Sequence, residues 1–545
     1  MQLSKPYVNL YLFLVVGLFL TFKSADSQAF FIDGEGHYAL RGATETAPGF
    51  SGTRGMNESI KQSFRLLTEI RPSDKTSMFL EFRLFPDSRT SYLGDTARPQ
   101  SCSKSKNSNT GSASDCEGRQ QETDQPQYAN YSPTVSQAYG RFASDFCILE
   151  AGRRPRDWGM GIFLNSGKQP FDTGSSNFDG VGCTLNIQKS QTLGFSVGYD
   201  KLAETGAKNE LLPEETSYTP GAYTRQDDLS QIYFTIEYDD RAANAGSSFT
   251  RHVGFYVGNI SGPAYSTDIK YADLFTGFYF RSLVIRNEVL FRLGKSGDAS
   301  WTRLGGRSPD PTPETAADLN SSKKSVTKND VQSIAVAGDI EYTLSKSGAF
   351  AGPAEYAQGN FQRHSLKLEY AYAPGDRDGY RTEYDDEKSV NAISQRNSKV
   401  TAIALHRNYK PTLLLFSDTK ELEDLRVDGI YDPARIMNAT VAALSYRYEN
   451  TIFGNFESKI ATAILSEGIP ADVKESFKDA EVKPIGYGGN SLGIELDLKY
   501  DRSFGKDLNV GVTTAFAMPG PAWDVEKGRS KRSNFLLQSH LAFNF

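Results

Sequence analysis

The chain ends on SNFLLQSHLAFNF, and this stretch constrains the fold more than any other. Phe535, Leu537, Leu541, Phe543 and Phe545 fall on one side of an extended chain, interrupted only by Ser539, while Asn534, Gln538, His540 and Asn544 fall on the other. One face calls for an apolar surrounding and the other for water. Either the edge of a sheet packed on a core or the wall of a membrane barrel with a wet interior satisfies both.

The same alternation recurs along the chain. In 77–85, Met78, Leu80, Phe82 and Leu84 oppose Glu81 and Arg83; in 283–292, Leu283, Ile285, Val289 and Phe291 oppose Arg286, Glu288 and Arg292. Leu366, Leu368, Tyr370 and Tyr372 oppose Lys367 and Glu369, and Leu492, Ile494, Leu496, Leu498 and Tyr500 oppose Glu495, Asp497 and Lys499. The links alternate in length: RSFGKD, YENT, NYKP, 143–145, 189–191 and 280–282 are short, whereas 86–133, 200–228, 295–330, GDRDGYRTEYDDEKSVNAISQRNS and SDTKELEDLRVDGIYDPA are long and polar. Short periplasmic turns and long external loops give this rhythm. The expected fold is all-β: a single transmembrane antiparallel up-and-down barrel of about twenty strands, eighteen to twenty-two being compatible with the pattern. It runs from a first strand near 30–41 to Phe545, with both termini periplasmic. The link SKSGAFAGPAEYAQGNFQR is long where a short turn is expected, so a merged or missed hairpin is possible there. A soluble β-sandwich needs two apolar faces meeting in one core, and a chain this long would split into several such domains. The charged faces, and the lack of a linker or internal repeat, do not suit it.

The start reads as an export signal. Lys5 gives a basic n-region, 7–20 an apolar stretch and Ser27-Gln28-Ala29 a cleavage site, so 1–29 is the signal peptide and 30–545 the barrel. Asn9 breaks the apolar run, which falls short of the ~20 residues of a spanning helix. Mean hydropathy of −0.47 suits a secreted protein and a barrel equally, but 28 Tyr, 34 Phe and 48 Gly favour a strand-built wall with aromatic girdles. A net charge of −6 argues against a nucleic-acid partner. Cys102 and Cys116, in a polar stretch of an exported chain, are the expected disulfide, and Cys147 and Cys183 are expected to be small wall residues.

With its terminal strand ending in Phe545, the chain resembles the Gram-negative outer-membrane porin class. The resemblance implies that Phe545 is the assembly signal read by the barrel-assembly machinery, and that outer-membrane lipid and lipopolysaccharide surround the barrel. EAGRRPRDWGMGIFLN is similar to a Gly-Arg…Trp-Gly-x-Gly element of large porin-like and polysaccharide-export-like barrels of proteobacteria.

No catalytic or cofactor constellation stands out. His37, His252, His364, His406 and His540 are scattered, without metal-ligand spacing or a nucleophile motif, so neither an enzyme nor a cofactor is expected. Strand signals begin at the cleavage site, leaving no room for the plug of an energy-coupled importer. The expected function is passive diffusion of small hydrophilic solutes through a mixed-charge lumen; export or binding of an acidic polysaccharide, or a surface-structural or adhesin role, is the alternative. Lumen-facing charges are expected at Arg83, Glu81, Arg286, Glu288, Arg292, Arg447, Glu495, Asp497 and Lys499, many of them as cross-strand partners, and Glu495→Gln is expected to be nearly silent for folding. Arg153, Arg154, Arg156, Asp157 and Trp158 are the candidate constriction: Pro155 and the glycines would turn the chain inward and project three guanidiniums across the opening, where they would attract anions. The other reading of this element is a strand end with Trp158 in the upper aromatic girdle.

The terminal aromatic generates the first prediction. Phe545→Asn removes both an interfacial anchor and the implied assembly signal, so less protein should reach the outer membrane, as measured by the folded, heat-modifiable band in membrane fractions.

Overall fold

The computed structural model describes residues 31–47, 50, 57–84, 134–169, 171–172, 175–185, 192–203, 229–244, 247–262, 267–296, 329–347, 361–376, 399–406, 408–416, 435–476, 478, 483, 485–524 and 531–545. The expected signal peptide, Cys102 and Cys116 lie outside them.

Alternating sequence becomes strand throughout: β1 (Phe31–Glu45), β2 (Asn57–Ser73), β3 (Thr76–Leu84), β4 (Thr134–Ala143), β5 (Cys147–Pro155), β6 (Asn177–Leu185), β7 (Leu193–Ala203), β8 (Leu229–Asp239), β9 (Phe249–Gly262) and β10 (Thr267–Phe280). There follow β11 (Leu283–Ser296), β12 (Asn329–Ser347), β13 (Gln362–Ala373), β14 (Lys399–Val400), β15 (Ala439–Asn450), β16 (Gly454–Leu465), β17 (Ser491–Phe504), β18 (Leu508–Pro519) and β19 (Asn534–Asn544). Neighbours in sequence pair antiparallel and β19 pairs with β1, from His37↔Asn544 to Glu45↔Leu536, so the sheet closes. Among the described residues one short α-helix, α1 (Ala471–Ser476), and a 3-10 turn, Pro521–Trp523, stand outside the wall, and no helix is long and apolar enough to cross a membrane.

The wall has eighteen strands, the low end of the expected range. Of the nineteen, β14 is a two-residue piece running parallel to β12, while β13 pairs directly with β15. The two strands expected on either side of NYKP fold inside the barrel. Their sequences, TAIAL and TLLLF, are apolar at consecutive positions, and Ile403, Leu405, Leu414, Leu415 and Phe416 are all buried; a chain apolar on both sides is enclosed by protein, not laid between lipid and water. On either side of the long link before β13, Ser347 pairs directly with Gln362, so β12 and β13 are neighbours in the wall.

Wall residues divide by parity as expected. On β10, Tyr271, Asp273 and Phe275 are buried inside, whereas the outward row runs Phe280, Phe278, Thr276, Leu274 and Ala272 before its first charge, Lys270. Those eight steps of about 3.3 Å, tilted by about 40°, give an apolar band roughly 20 Å high. Leu366, Leu368, Ile494, Leu496, Leu498, Phe535, Leu537 and Phe543 face outward, while Lys367, Glu495, Asp497 and Asn534 are buried on the inner face. Exposed Phe146, Phe280, Phe453, Phe504 and Phe545 gather at or beside the links of one rim, an aromatic belt at the edge where both termini lie.

The closing seam is fastened at both ends. At the terminal rim the Gly36 N–H donates to the Phe545 carbonyl at 2.7 Å and the Phe545 N–H returns to the Gly36 carbonyl at 3.0 Å. The Phe545 ring occupies the space that a Cβ on Gly36 would need. At the other rim Asn534 donates to Glu45 at 2.5 Å and accepts from the Ala47 N–H at 3.1 Å.

Cys147 and Cys183 correct an expectation. They form a disulfide between β5 and β6 with Cα atoms 5.8 Å apart. The β5–β6 register sets Leu149 opposite Cys183, which puts Cys147 diagonally within bonding reach.

Parity yields a stability prediction. Leu496→Arg places a charge on the outward face and should cost about 2–4 kcal/mol near the bilayer midplane, whereas Lys499→Gln, whose side chain is 47% exposed on the inner face, should be nearly neutral; urea titration of the folded barrel in lipid vesicles measures both.

Candidate functional site: a lumen crossed by an inward segment

The chain leaves β5 at Pro155 and folds inward. Gly159, Gly161 and Gly167 adopt φ of +55°, +80° and +68°, values that side chains disfavour. Trp158 donates its N–H to the Leu164 carbonyl at 3.1 Å, and Asp157 accepts from the Ser166 N–H at 2.7 Å and the Lys168 ammonium at 2.5 Å. Trp158 is therefore not in an outer girdle. Its indole lies over Gly254 on the inner wall and 5.3 Å from the Tyr256 ring, while Phe163 packs 4.9 Å from Tyr271.

This segment spans the lumen. At one end the Met160 N–H donates to the Glu288 carboxylate on β11. At the other, Arg83 on β3 donates to the Gly167 carbonyl at 3.2 Å, Arg65 on β2 to the Lys168 carbonyl at 3.0 Å, and Arg41 on β1 lies 4.4 Å over the Phe171 ring. From β11 to β2 is nine strand steps in a wall of eighteen, half the circumference.

A second inward segment, 401–416, packs against the first. His406 donates its N–H to the Ile162 carbonyl at 2.7 Å, and Arg292 holds the Ala402 carbonyl at 2.9 Å. Lys459 donates to the Pro411 carbonyl at 3.2 Å. Glu495 accepts three successive amides, from Leu413 at 2.5 Å, Leu414 at 3.0 Å and Leu415 at 2.8 Å. Glu495 is thus a buried loop anchor, and Glu495→Gln is not the silent change expected from its place on a polar face, because an amide group offers fewer acceptor sites and brings donors of its own.

The arginines of the candidate element are bound to the wall and do not reach into the opening. Arg154, 2% exposed, donates to Asp200 at 2.7 Å and to the Tyr233 hydroxyl at 3.1 Å; Arg156 reaches the other Asp200 oxygen at 3.1 Å and stacks 4.0 Å over the Tyr233 ring. Gln231 completes the Asp200 shell at 3.1 Å and accepts from the Tyr271 hydroxyl at 2.7 Å. Arg153, one residue out of phase, pairs with Asp179 at 2.6 Å on the outer face. Asp200, Gln231 and Tyr233 were missed because nothing in one strand's sequence shows what the next strand sets opposite it.

The remaining predicted charges lie on the inner face. Arg286 pairs with Asp339 at 2.6 Å, Arg447 with Glu457 at 3.3 Å, Lys499 with Asp501 at 2.9 Å, and Glu81 receives both Arg83 at 2.5 Å and Arg65 at 3.8 Å. From β19 to β3 the ladder also sets basic residues opposite one another, while His540 pairs with Asp501 at 3.3 Å. Arg41 stands opposite Lys61 and His540, Arg65 opposite His37 and Arg83. Arg41 and Lys61 were legible by parity but were not singled out.

No family model matches the chain, and no curated protein does. Solved structures similar to it include Pseudomonas aeruginosa OccK8 (OprE), at 12% identity and a TM-score of 0.44 over 94% of this chain and 98% of that one. OccK2 (OpdF) of the same organism, in complex with glucuronate, is similar at 11% identity and 0.43 over 95% and 99%. Acinetobacter baumannii OccAB4 is similar at 11% and 0.41 over 94% and 98%. The likeness at these identities is one of overall shape, and no residue role is carried over.

The Asp200 cluster gives a prediction. Arg154→Gln leaves a fully buried carboxylate short of its closest cation and should destabilise the barrel by about 3–5 kcal/mol. Adding Asp200→Asn should restore much of this, with thermal unfolding of the heat-modifiable band as the measure.

Proposed function

We propose that this protein is a narrow outer-membrane channel for passive diffusion of small hydrophilic solutes, with both termini on the periplasmic side. The carrying observation is the segment 156–171, which runs from Glu288 to the Arg65 and Arg83 side of an eighteen-stranded wall. A barrel of this strand number encloses more space than its wall side chains fill, and a segment laid across it divides and narrows that space. The termini are assigned to the periplasm because the short links, among them 74–75, 281–282 and 451–453, share their rim. A lumen crossed by chain is a poor conduit for a polymer, which weighs against polysaccharide export.

The basic strip gives the passage its sign. Arg65 and Arg83 hold the Lys168 and Gly167 carbonyls and Arg41 lies over the Phe171 ring, with Lys61 opposite Arg41 in the ladder, so basic side chains flank one limb of the crossing segment and favour anionic solutes over cations. The selectivity residues are therefore these, and not Arg154 and Arg156. Purified protein in a planar bilayer under a salt gradient should show small single-channel steps with a reversal potential on the anion side, shifted toward zero by Arg41→Gln with Lys61→Gln. Absence of steps sinks the channel reading; an unchanged potential in the double variant sinks the selectivity assignment.

A further inference from the structure

Each inward segment rests on a pair of carboxyls. Glu288 takes the Met160 amide and has Asp273 within hydrogen-bond reach; Glu495 takes the amides of Leu413, Leu414 and Leu415 and has Asp497 within reach. In both pairs the aspartate is buried, at 0% and 5% exposure; Asp273 has the Trp158 indole N–H within reach, and neither Asp497 oxygen receives a hydrogen bond from a donor group among the described residues. Two buried carboxyls in contact call for an explanation, and the same pair occurs twice, each time under a segment that narrows the lumen.

We infer that Glu288 and Glu495 are positioning residues for permeation, each seating one inward segment, and that Asp273 and Asp497 act through them by lending a proton. The inference rests on the channel reading above. Two carboxyls in contact and out of water do not both carry charge. With one proton between them, the aspartate hydroxyl donates to the glutamate, and the glutamate carries the charge that the segment's amides need. Without that proton, two like charges repel at the base of the segment.

The surroundings hold one neutral donor, the Trp158 indole, toward Asp273. Around Asp273 and Glu288 stand Tyr256 of β9, Tyr271 of β10, Arg286 and Arg292 of β11, Asp339 of β12, the Trp158 indole, and Tyr409 of the second segment. Arg286 is engaged by Asp339 at 2.6 Å, and Arg292 donates to Ser333 and to the Ala402 carbonyl. Around Asp497 and Glu495 stand Glu457 and Lys459 of β16 and Lys499 of β17, while β18 sets Ala515 and Ala517 opposite. Lys459 faces Asp497 across the ladder but donates to the Pro411 carbonyl at 3.2 Å and lies 3.5 Å from Glu369. Asp172, on the far limb of the crossing segment, is pushed up by burial to about 6, so its titration belongs to the acid side and is separable.

The test is a pH profile of single-channel current, with amide hydrogen exchange of Met160 and Leu413 to Leu415 read in parallel after correction for intrinsic rates. The wild type should be quiet at neutral pH. Above an alkaline onset, brief closures should become about tenfold more frequent per pH unit, the dependence of an opening driven by loss of one proton, and the four amides should lose protection together. Asp273→Asn and Asp497→Asn keep a donor to the glutamate and should abolish the rise at their own segment, while Glu495→Ala should close frequently at every pH. A flat alkaline profile with unchanged amide protection overturns the inference, as does a rise that persists when Asp273→Asn and Asp497→Asn are combined. If the protein passes no current, the channel reading falls, and the exchange data alone decide the seats.

Discussion

Everything in this molecule depends on the backbone pairing across the β1–β19 seam. A strand in hydrocarbon cannot leave its N–H and C=O groups unpaired, so the sheet is viable in a bilayer only once the first strand meets the last. That demand explains why the seam is fastened at both rims, by Gly36 with Phe545 at one and by Glu45 and Ala47 with Asn534 at the other. It also gives the terminal aromatic a structural reason to exist. The ring of Phe545 lies where Gly36 has no side chain, so the last residue helps close the ring and also contributes to the interfacial belt.

Closure turns the usual order of a folded protein inside out, since the apolar rows face outward. What apolar core there is lies within the lumen and comes from loops: Ile162, Phe163 and Leu164 from one segment meet Ile403, Leu405, Leu414 and Phe416 from another. These groups are shielded from water by each other and by the wall tyrosines, and their backbone amides are met by wall carboxylates and each other's carbonyls. The wall is a frame held by many ladder hydrogen bonds, whereas the lumen contents are held by a few directed contacts. Changes in the lumen contents therefore break fewer contacts than changes in the frame.

Electrostatics follow the same division. Around most of the inner wall each cation has its acid, as in Arg154 and Arg156 with Asp200 or Arg286 with Asp339, and such pairs stiffen the frame without lending the lumen a sign. On β1 to β3 the cations Arg41, Arg65 and Arg83 also touch the crossing segment.

By itself the sequence determined the wall. Strict alternation in SNFLLQSHLAFNF, the 283–292 stretch or the 491–500 stretch assigns each side chain to lipid or lumen, because a strand has period two and only two faces, and the rhythm of link lengths orders the strands. Alternation breaks down at TAIAL and TLLLF, where consecutive apolar residues could have warned that these pieces belong inside and that the wall has eighteen strands. Only the tertiary structure decided which lumen groups meet. Arg154 and Asp200 are separated by 46 positions, Met160 and Glu288 by 128, and the disulfide joins Cys147 to Cys183 across a register that neither strand encodes alone. A strand's own sequence fixes the face of each residue, but the neighbour it meets depends on register and on how loops return through the interior, and both are set by the closed sheet as a whole.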